Sequence, residues 1–233
     1  MTRPILYLHP AGGVRRTRVI EELEEAHKLH IPVFPGFDGT PTKPGLNTRR
    51  ALARYVGETI GEPCDVIGCS FGGAVALWLA IDRPELVDHL VLECPAGLHT
   101  IDPALRADPN EFRKALFLHP DKITGLPKKP EIEAGNRKML AHYGAEDGRD
   151  PDLLANIERV KHPTLILHGT HDRIITRDSM QLLKRRLAKS FLVYVWDAAH
   201  NIEVDQPQRM LALVRSFLER SEAFVVRRAG EGG

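Results

Sequence analysis

Ile67-Gly68-Cys69-Ser70-Phe71-Gly72-Gly73-Ala74 is the stretch from which the rest of the chain is best read. Val66 and Ile67 before the turn are strand-like, and Ala74-Val75-Ala76-Leu77-Trp78-Leu79-Ala80 after it is a strong helical run. Between them G-x-S-x-G requires a sharp backbone turn that leaves the Ser70 hydroxyl exposed. Gly68 and Gly72 suit such a turn, because it strains the serine and brings neighbouring chain too close for a Cβ. A helix beginning directly after Ser70 would aim its unpaired N–H groups and positive dipole end at any anion formed there. Taken alone, the pattern also fits a small residue in a tight turn.

Composition narrows the class of molecule. A chain of 233 residues can bury one substantial core, and 42% hydrophobic with 27% charged residues is ordinary for a soluble globular protein. Lys and Arg number 32 against 31 Asp and Glu, a net charge of +1, so no strong field favours nucleic acid or an anionic membrane. No apolar run approaches the ~20 residues that cross a bilayer. The N-terminal stretch through Pro10 reads as a first strand, since no small-residue cleavage site follows its apolar residues. Cys64, Cys69 and Cys94 match no zinc spacing and lie in or beside apolar strands, which predicts buried reduced thiols and a cytoplasmic location.

Strand and helix patterns then alternate. Apolar strands are expected at Pro4–His9, Ile31–Phe34, Asp65–Cys69, Val87–Cys94, Pro163–His168 and Phe191–Trp196, with helix faces between them. That order predicts a three-layer, doubly wound α/β fold with a mostly parallel sheet and helices on both faces. The rhythm breaks between 96 and 161, where helix-like pieces near Asn110–Leu118, Glu131–Tyr143 and Asp152–Arg159 predict a small helical cap. Residues 1–95 and 162–221 are therefore expected to form one discontinuous core, and 222–233 a frayed tail.

Ligands on such sheets bind beyond the carboxyl ends of the strands. Three polar residues fall there. Ser70 follows the third strand, Asp172 follows the strand ending in His168, and His200 follows Phe191–Trp196. A serine needs a base to take its proton, and the base needs a partner to hold its tautomer. Asp197, Glu203 and Asp205 are rival carboxylates near His200, but none follows a core strand. The remaining histidines show no metal-ligand spacing, so no metal and no cofactor are expected. Pro35-Gly36-Phe37-Asp38-Gly39-Thr40-Pro41 lacks a phosphate-binding glycine pattern and is expected to border the pocket through Phe37.

The order Ser70, Asp172, His200 resembles the α/β-hydrolase fold superfamily over about residues 4–219. The segment Pro163–Ile175 resembles the family's acid-bearing strand, and Ala199–Leu218 its histidine loop and closing helix. The resemblance implies an oxyanion hole of two backbone N–H groups. One is that of Phe71. The other comes from the loop His9-Pro10-Ala11-Gly12-Gly13, which resembles the family's His-Gly-x segment and makes Ala11 the donor, with Gly12 the alternative because Pro10 stands where the family has glycine. The resemblance further implies a serine hydrolase of small carboxylic esters working through an acyl-enzyme, with a small-molecule substrate and no nucleic-acid partner. Two other readings stay open. Cys94-Pro95-Ala96-Gly97-Leu98 resembles the cap start of carbon–carbon bond hydrolases of diketone-like compounds, although Cys69 replaces their Asn before the serine; thioester hydrolysis and perhydrolysis use the same residues. A non-catalytic ligand-binding member of the fold is the alternative of another class.

Overall fold

The computed structural model describes residues 3–124 and 127–224. Leu126, within the expected cap, and residues 225–233 of the expected 222–233 tail lie outside them, whereas Ser221–Ala223 form one helical turn. Six strands form one sheet: β1 (Ile5–Leu8), β2 (Leu29–His30), β3 (Cys64–Cys69), β4 (Val87–Glu93), β5 (Thr164–Gly169) and β6 (Ser190–Val195). Their order is β2-β1-β3-β4-β5-β6, and every neighbouring pair is parallel. The four strands at the centre are mainly apolar and almost wholly buried, as a sheet covered by helices requires.

The second strand departs from expectation. Pairing occurs at Leu29–His30, and Ile31-Pro32-Val33-Phe34 is loop. Pro32 has no N–H to give a ladder, and Val33 is left exposed, so the apolar run carries no strand signal in three dimensions.

Helices α1 (Arg18–Ala26), α2 (Arg49–Glu58), α3 (Phe71–Asp82), α8 (Arg177–Arg186), α9 (Ile202–Asp205) and α10 (Pro207–Arg220) flank the sheet. Five of them pack in two groups, α1 with α9 and α10, and α2 with α3, while α8 packs on β5 and β6. Thr17, Thr48 and Thr176 cap α1, α2 and α8 by accepting a backbone N–H from the first turn. In contrast α3 has no side-chain cap. It is apolar all round and buried from Phe71 to Ile81, so it packs wholly within the core against β1, β3 and β4.

Between β4 and β5 the chain forms α4 (Pro103–Ala107), α5 (Pro109–Leu116), α6 (Pro130–His142) and α7 (Pro151–Asn156). The base of this insert is pinched shut. Gly97 pairs with Arg149, with Gly97 N–H donating to Gly148 O at 2.9 Å and Asp150 N–H to Gly97 O at 2.8 Å. Asp150 then joins insert to core: its carboxylate accepts from Trp78 Nε1 at 2.9 Å and pairs with the buried Arg49 guanidinium at 3.1 Å.

Candidate active site

The elbow is built as the glycines demand. Ser70 has φ 50° and ψ −110°, a conformation held by its surroundings. Its N–H donates to Glu93 O on β4 at 2.9 Å, and its carbonyl accepts from Gly73 N at 2.9 Å and Ala96 N at 3.0 Å. A Cβ on Gly72 would lie 2.1 Å from Leu8 O, and one on Gly68 would lie 2.7 Å from Gly72 O. Both positions are therefore closed to any side chain.

Ser70 Oγ lies 2.8 Å from His200 Nε2, and His200 Nδ1 lies 2.9 Å from Asp172 Oδ2. The other carboxylate oxygen of Asp172 accepts from Ile174 N at 2.8 Å and Ile175 N at 3.0 Å. Burial works to raise the Asp172 carboxyl, but the imidazole of His200 and these amide donors outweigh it and hold it below its usual range. An ionised Asp172 accepts the proton on Nδ1, so Nε2 is left to accept the proton of Ser70. The three residues expected to converge from different strand ends are thus in one hydrogen-bonded chain.

The rival carboxylates are occupied elsewhere. Asp197 meets His119 Nε2 at 2.9 Å, and Glu203 accepts from Tyr7 Oη at 2.8 Å. Asp205 accepts from Ala199 N at 2.8 Å and from Leu118 N and His119 N, so it fastens the histidine loop to the insert.

After β1, Pro10–Gly13 forms a turn closed by Gly13 N–H donating to Pro10 O at 3.0 Å. Pro10 contributes only its carbonyl to this turn, so its missing N–H is no defect. The N–H groups of Ala11, Gly12 and Phe71 have no acceptor among the described residues. His9 props the turn as a neutral imidazole. Its Nδ1 lies 2.8 Å from Pro10 O and its Nε2 accepts from Phe34 N at 3.1 Å. Burial lowers its pKa to about 4, which keeps that tautomer.

Phe37 corrects an expectation. It is fully buried, in ring contact with His9, Phe34, Phe71 and Tyr143, and offers no surface to a ligand. An aromatic in a Pro- and Gly-rich loop looks like a pocket wall in sequence, but here it packs against the Phe71 ring. Gly12 is exposed, and its carbonyl accepts from Asn136 Nδ2 on α6 at 2.9 Å.

Several contacts around the site were not foreseen from the sequence. Asp38 accepts from Val14 N at 2.8 Å and Asn136 Nδ2 at 2.9 Å and is paired with Lys128, so the turn, the Pro35–Pro41 loop and the insert are locked together. Cys94 has φ 43°, and its thiol is held protonated first by burial and then by the Asp172 charge. Below the elbow, Glu93 Oε1 accepts from Glu203 N at 2.9 Å, and both carboxyls are pushed up, chiefly by burial. Asp38 carried one faint signal, its place in a turn; buried carboxylates at a strand end carry none.

Comparison with known proteins agrees with this geometry. The model of the alpha/beta hydrolase family matches residues 5–213. A 2-hydroxymuconate semialdehyde hydrolase from Pseudomonas sp. (strain CF600) is 28% identical, over 96% of this chain and 89% of its own. A pimeloyl-[acyl-carrier protein] methyl ester esterase from Aeromonas salmonicida (strain A449) is 24% identical, over 86% and 88%. Among solved structures, 2-hydroxy-6-oxo-6-phenylhexa-2,4-dienoate hydrolase from Rhodococcus sp. strain RHA1 superposes with a TM-score of 0.75 at 20% identity, covering 94% of this chain and 91% of that one. With its all-parallel sheet, its strained serine at the end of β3 and the family match over most of its length, this chain is an enzyme of the alpha/beta hydrolase family.

Proposed function

We propose that the protein hydrolyses a small carboxylic ester through an acyl-enzyme on Ser70. The observation that carries this is the chain Ser70 Oγ–His200–Asp172, with contacts of 2.8 and 2.9 Å. His200 Nε2 takes the hydroxyl proton as Ser70 Oγ attacks the carbonyl carbon. The developing oxyanion is held by the free N–H of Phe71, at the positive end of α3, and by that of Ala11, with Gly12 beside it. Each such donor is worth about 2.7–4 kcal/mol in the transition state. His200 returns the proton to the leaving alcohol, then activates the water that releases the acid. Asp172 fixes the imidazole and stabilises its charged form.

The insert from residue 96 to 161 acts as the cap in this reading and selects the substrate. Phe37 supports Phe71 by packing. The location that fits three buried free thiols is cytoplasmic, and no helix among the described residues is long and apolar enough to cross a membrane.

A second reading is hydrolysis of a carbon–carbon bond in a diketone-like compound. It is favoured by the names borne by relatives such as 2-hydroxymuconate semialdehyde hydrolase, while the pimeloyl methyl ester esterase favours the ester. Both reactions use the same serine. The test compares Ser70→Ala with wild type on p-nitrophenyl esters of graded chain length and on a vinylogous diketone. Loss of ester turnover by roughly a millionfold is expected, with the wild-type enzyme faster on the ester than on the diketone. Unchanged ester turnover in Ser70→Ala overturns the mechanism, and a faster diketone reaction replaces the first reading by the second.

A further inference from the structure

The arrangement at Ser70 has a counterpart at the other end of the same strand. Asp65 is the second residue of β3, and its Oδ1 lies 2.7 Å from His89 Nδ1 on β4. His89 Nε2 lies 2.8 Å from the hydroxyl of Ser221, at the end of α10. These contacts match those of the first cluster, and so does the backbone. Ser221 has φ 53° and ψ −124°, against 50° and −110° for Ser70. Its carbonyl accepts from Phe224 N at 3.0 Å, as that of Ser70 accepts from Gly73 N. Each serine therefore stands in a left-handed conformation that L-residues rarely adopt, with a helical turn following it.

The surroundings permit chemistry. Asp65 and His89 are buried, whereas Ser221 is half-buried and can be reached from solvent. A carboxylate on Nδ1 fixes the tautomer that leaves Nε2 free to accept the serine proton. Phe217 meets the His89 ring edge-on, and Phe224 and Phe191 pack around Phe217, so the imidazole is backed by aromatic rings of which Phe191 and Phe224 stay partly exposed. None of these residues takes part in the hydrolysis assigned to Ser70.

We infer that Ser221 is a second activated nucleophile, which accepts compact, apolar acyl or phosphoryl groups from activated donors. The Ser221 Oγ bond to the carbonyl carbon or phosphorus forms as the bond to the leaving group breaks. The hydroxyl proton passes to His89 Nε2, and Asp65 balances the resulting imidazolium. A purely structural bond tying α10 to the sheet would show the same distances but no reactivity.

The test uses full-length Ser70→Ala protein and diisopropyl fluorophosphate, in which the P–F bond breaks as the O–P bond forms and fluoride leaves. Mass spectrometry is expected to find one phosphoryl group per chain, mapped to the peptide that contains Ser221. It should vanish in Ser70→Ala/Ser221→Ala and form roughly a hundredfold more slowly in Ser70→Ala/His89→Gln, as loss of a general base predicts. A Ser70→Ala protein that stays unlabelled, carries the label elsewhere, or labels equally fast without His89 overturns the inference. Peptide mapping of Ser70→Ala alone decides the matter if a double variant does not fold. Labelling of the Ser70 peptide in wild type is read separately, so the two sites cannot be confused.

Discussion

His200 is placed by two bonds of nearly equal length, and only one of them involves the nucleophile. The bond to Asp172 decides which ring nitrogen carries the proton. Replacing Asp172 by Asn presents an amide that can donate to Nδ1, which turns the imidazole to the wrong tautomer without changing shape. We expect Asp172→Asn to lower kcat by roughly 10⁴-fold with KM and the thermal midpoint little altered, measured on a p-nitrophenyl ester. A fall in KM-controlled binding alone would assign Asp172 a different role. At this scale the convergence of Ser70, Asp172 and His200 was legible in the sequence, because each follows an apolar strand. Phe37 was misread, since nothing in its loop distinguishes a ring that faces a ligand from one that packs behind Phe71.

Elements are joined beneath the elbow by Glu93 and Glu203, whose contact the sequence did not reveal. Glu93 ends β4 and also holds the Ser70 N–H through its carbonyl, while its carboxyl accepts the N–H of Glu203 on α9. The histidine loop is thereby registered against the nucleophile. Both carboxyls are raised by burial, and for Glu93 by the charge of Glu203 as well, so the pair keeps a proton that an unfolded chain would release. A raised carboxyl contributes stability that is full below its unfolded pKa of about 4.3, and that stability is lost as pH climbs through the folded value. Glu93→Gln keeps the acceptor for Glu203 N–H and removes the proton. Its urea midpoint should therefore decline less than that of wild type between about pH 5 and pH 8. Equal slopes for the two proteins would show that the pair carries no such proton. The strands themselves were readable from their apolar runs, except β2, where Pro32 and the exposed Val33 make an apolar run that pairs with nothing.

For the molecule as a whole, the parallel sheet sets three loops at its carboxyl edge, and the insert is tied to two of them and to the core. Asp150 with Arg49 and Trp78 secures its base, while Asp205 and Asn136 secure it to the histidine loop and the Pro10–Gly13 turn. Alternating strand and helix patterns made the architecture legible, and the break in that rhythm made the insert legible. Its contacts were not, because they depend on buried polar pairs between segments about 90–125 residues apart. The residue that carries the acyl group decides the mechanism. Wild-type enzyme quenched during turnover of a p-nitrophenyl ester and digested should carry that acyl group on the peptide containing Ser70, and Ser70→Ala should carry none at that position and turn over no ester. Undiminished turnover by Ser70→Ala, with the Ser70 peptide of wild type unmodified, would contradict it.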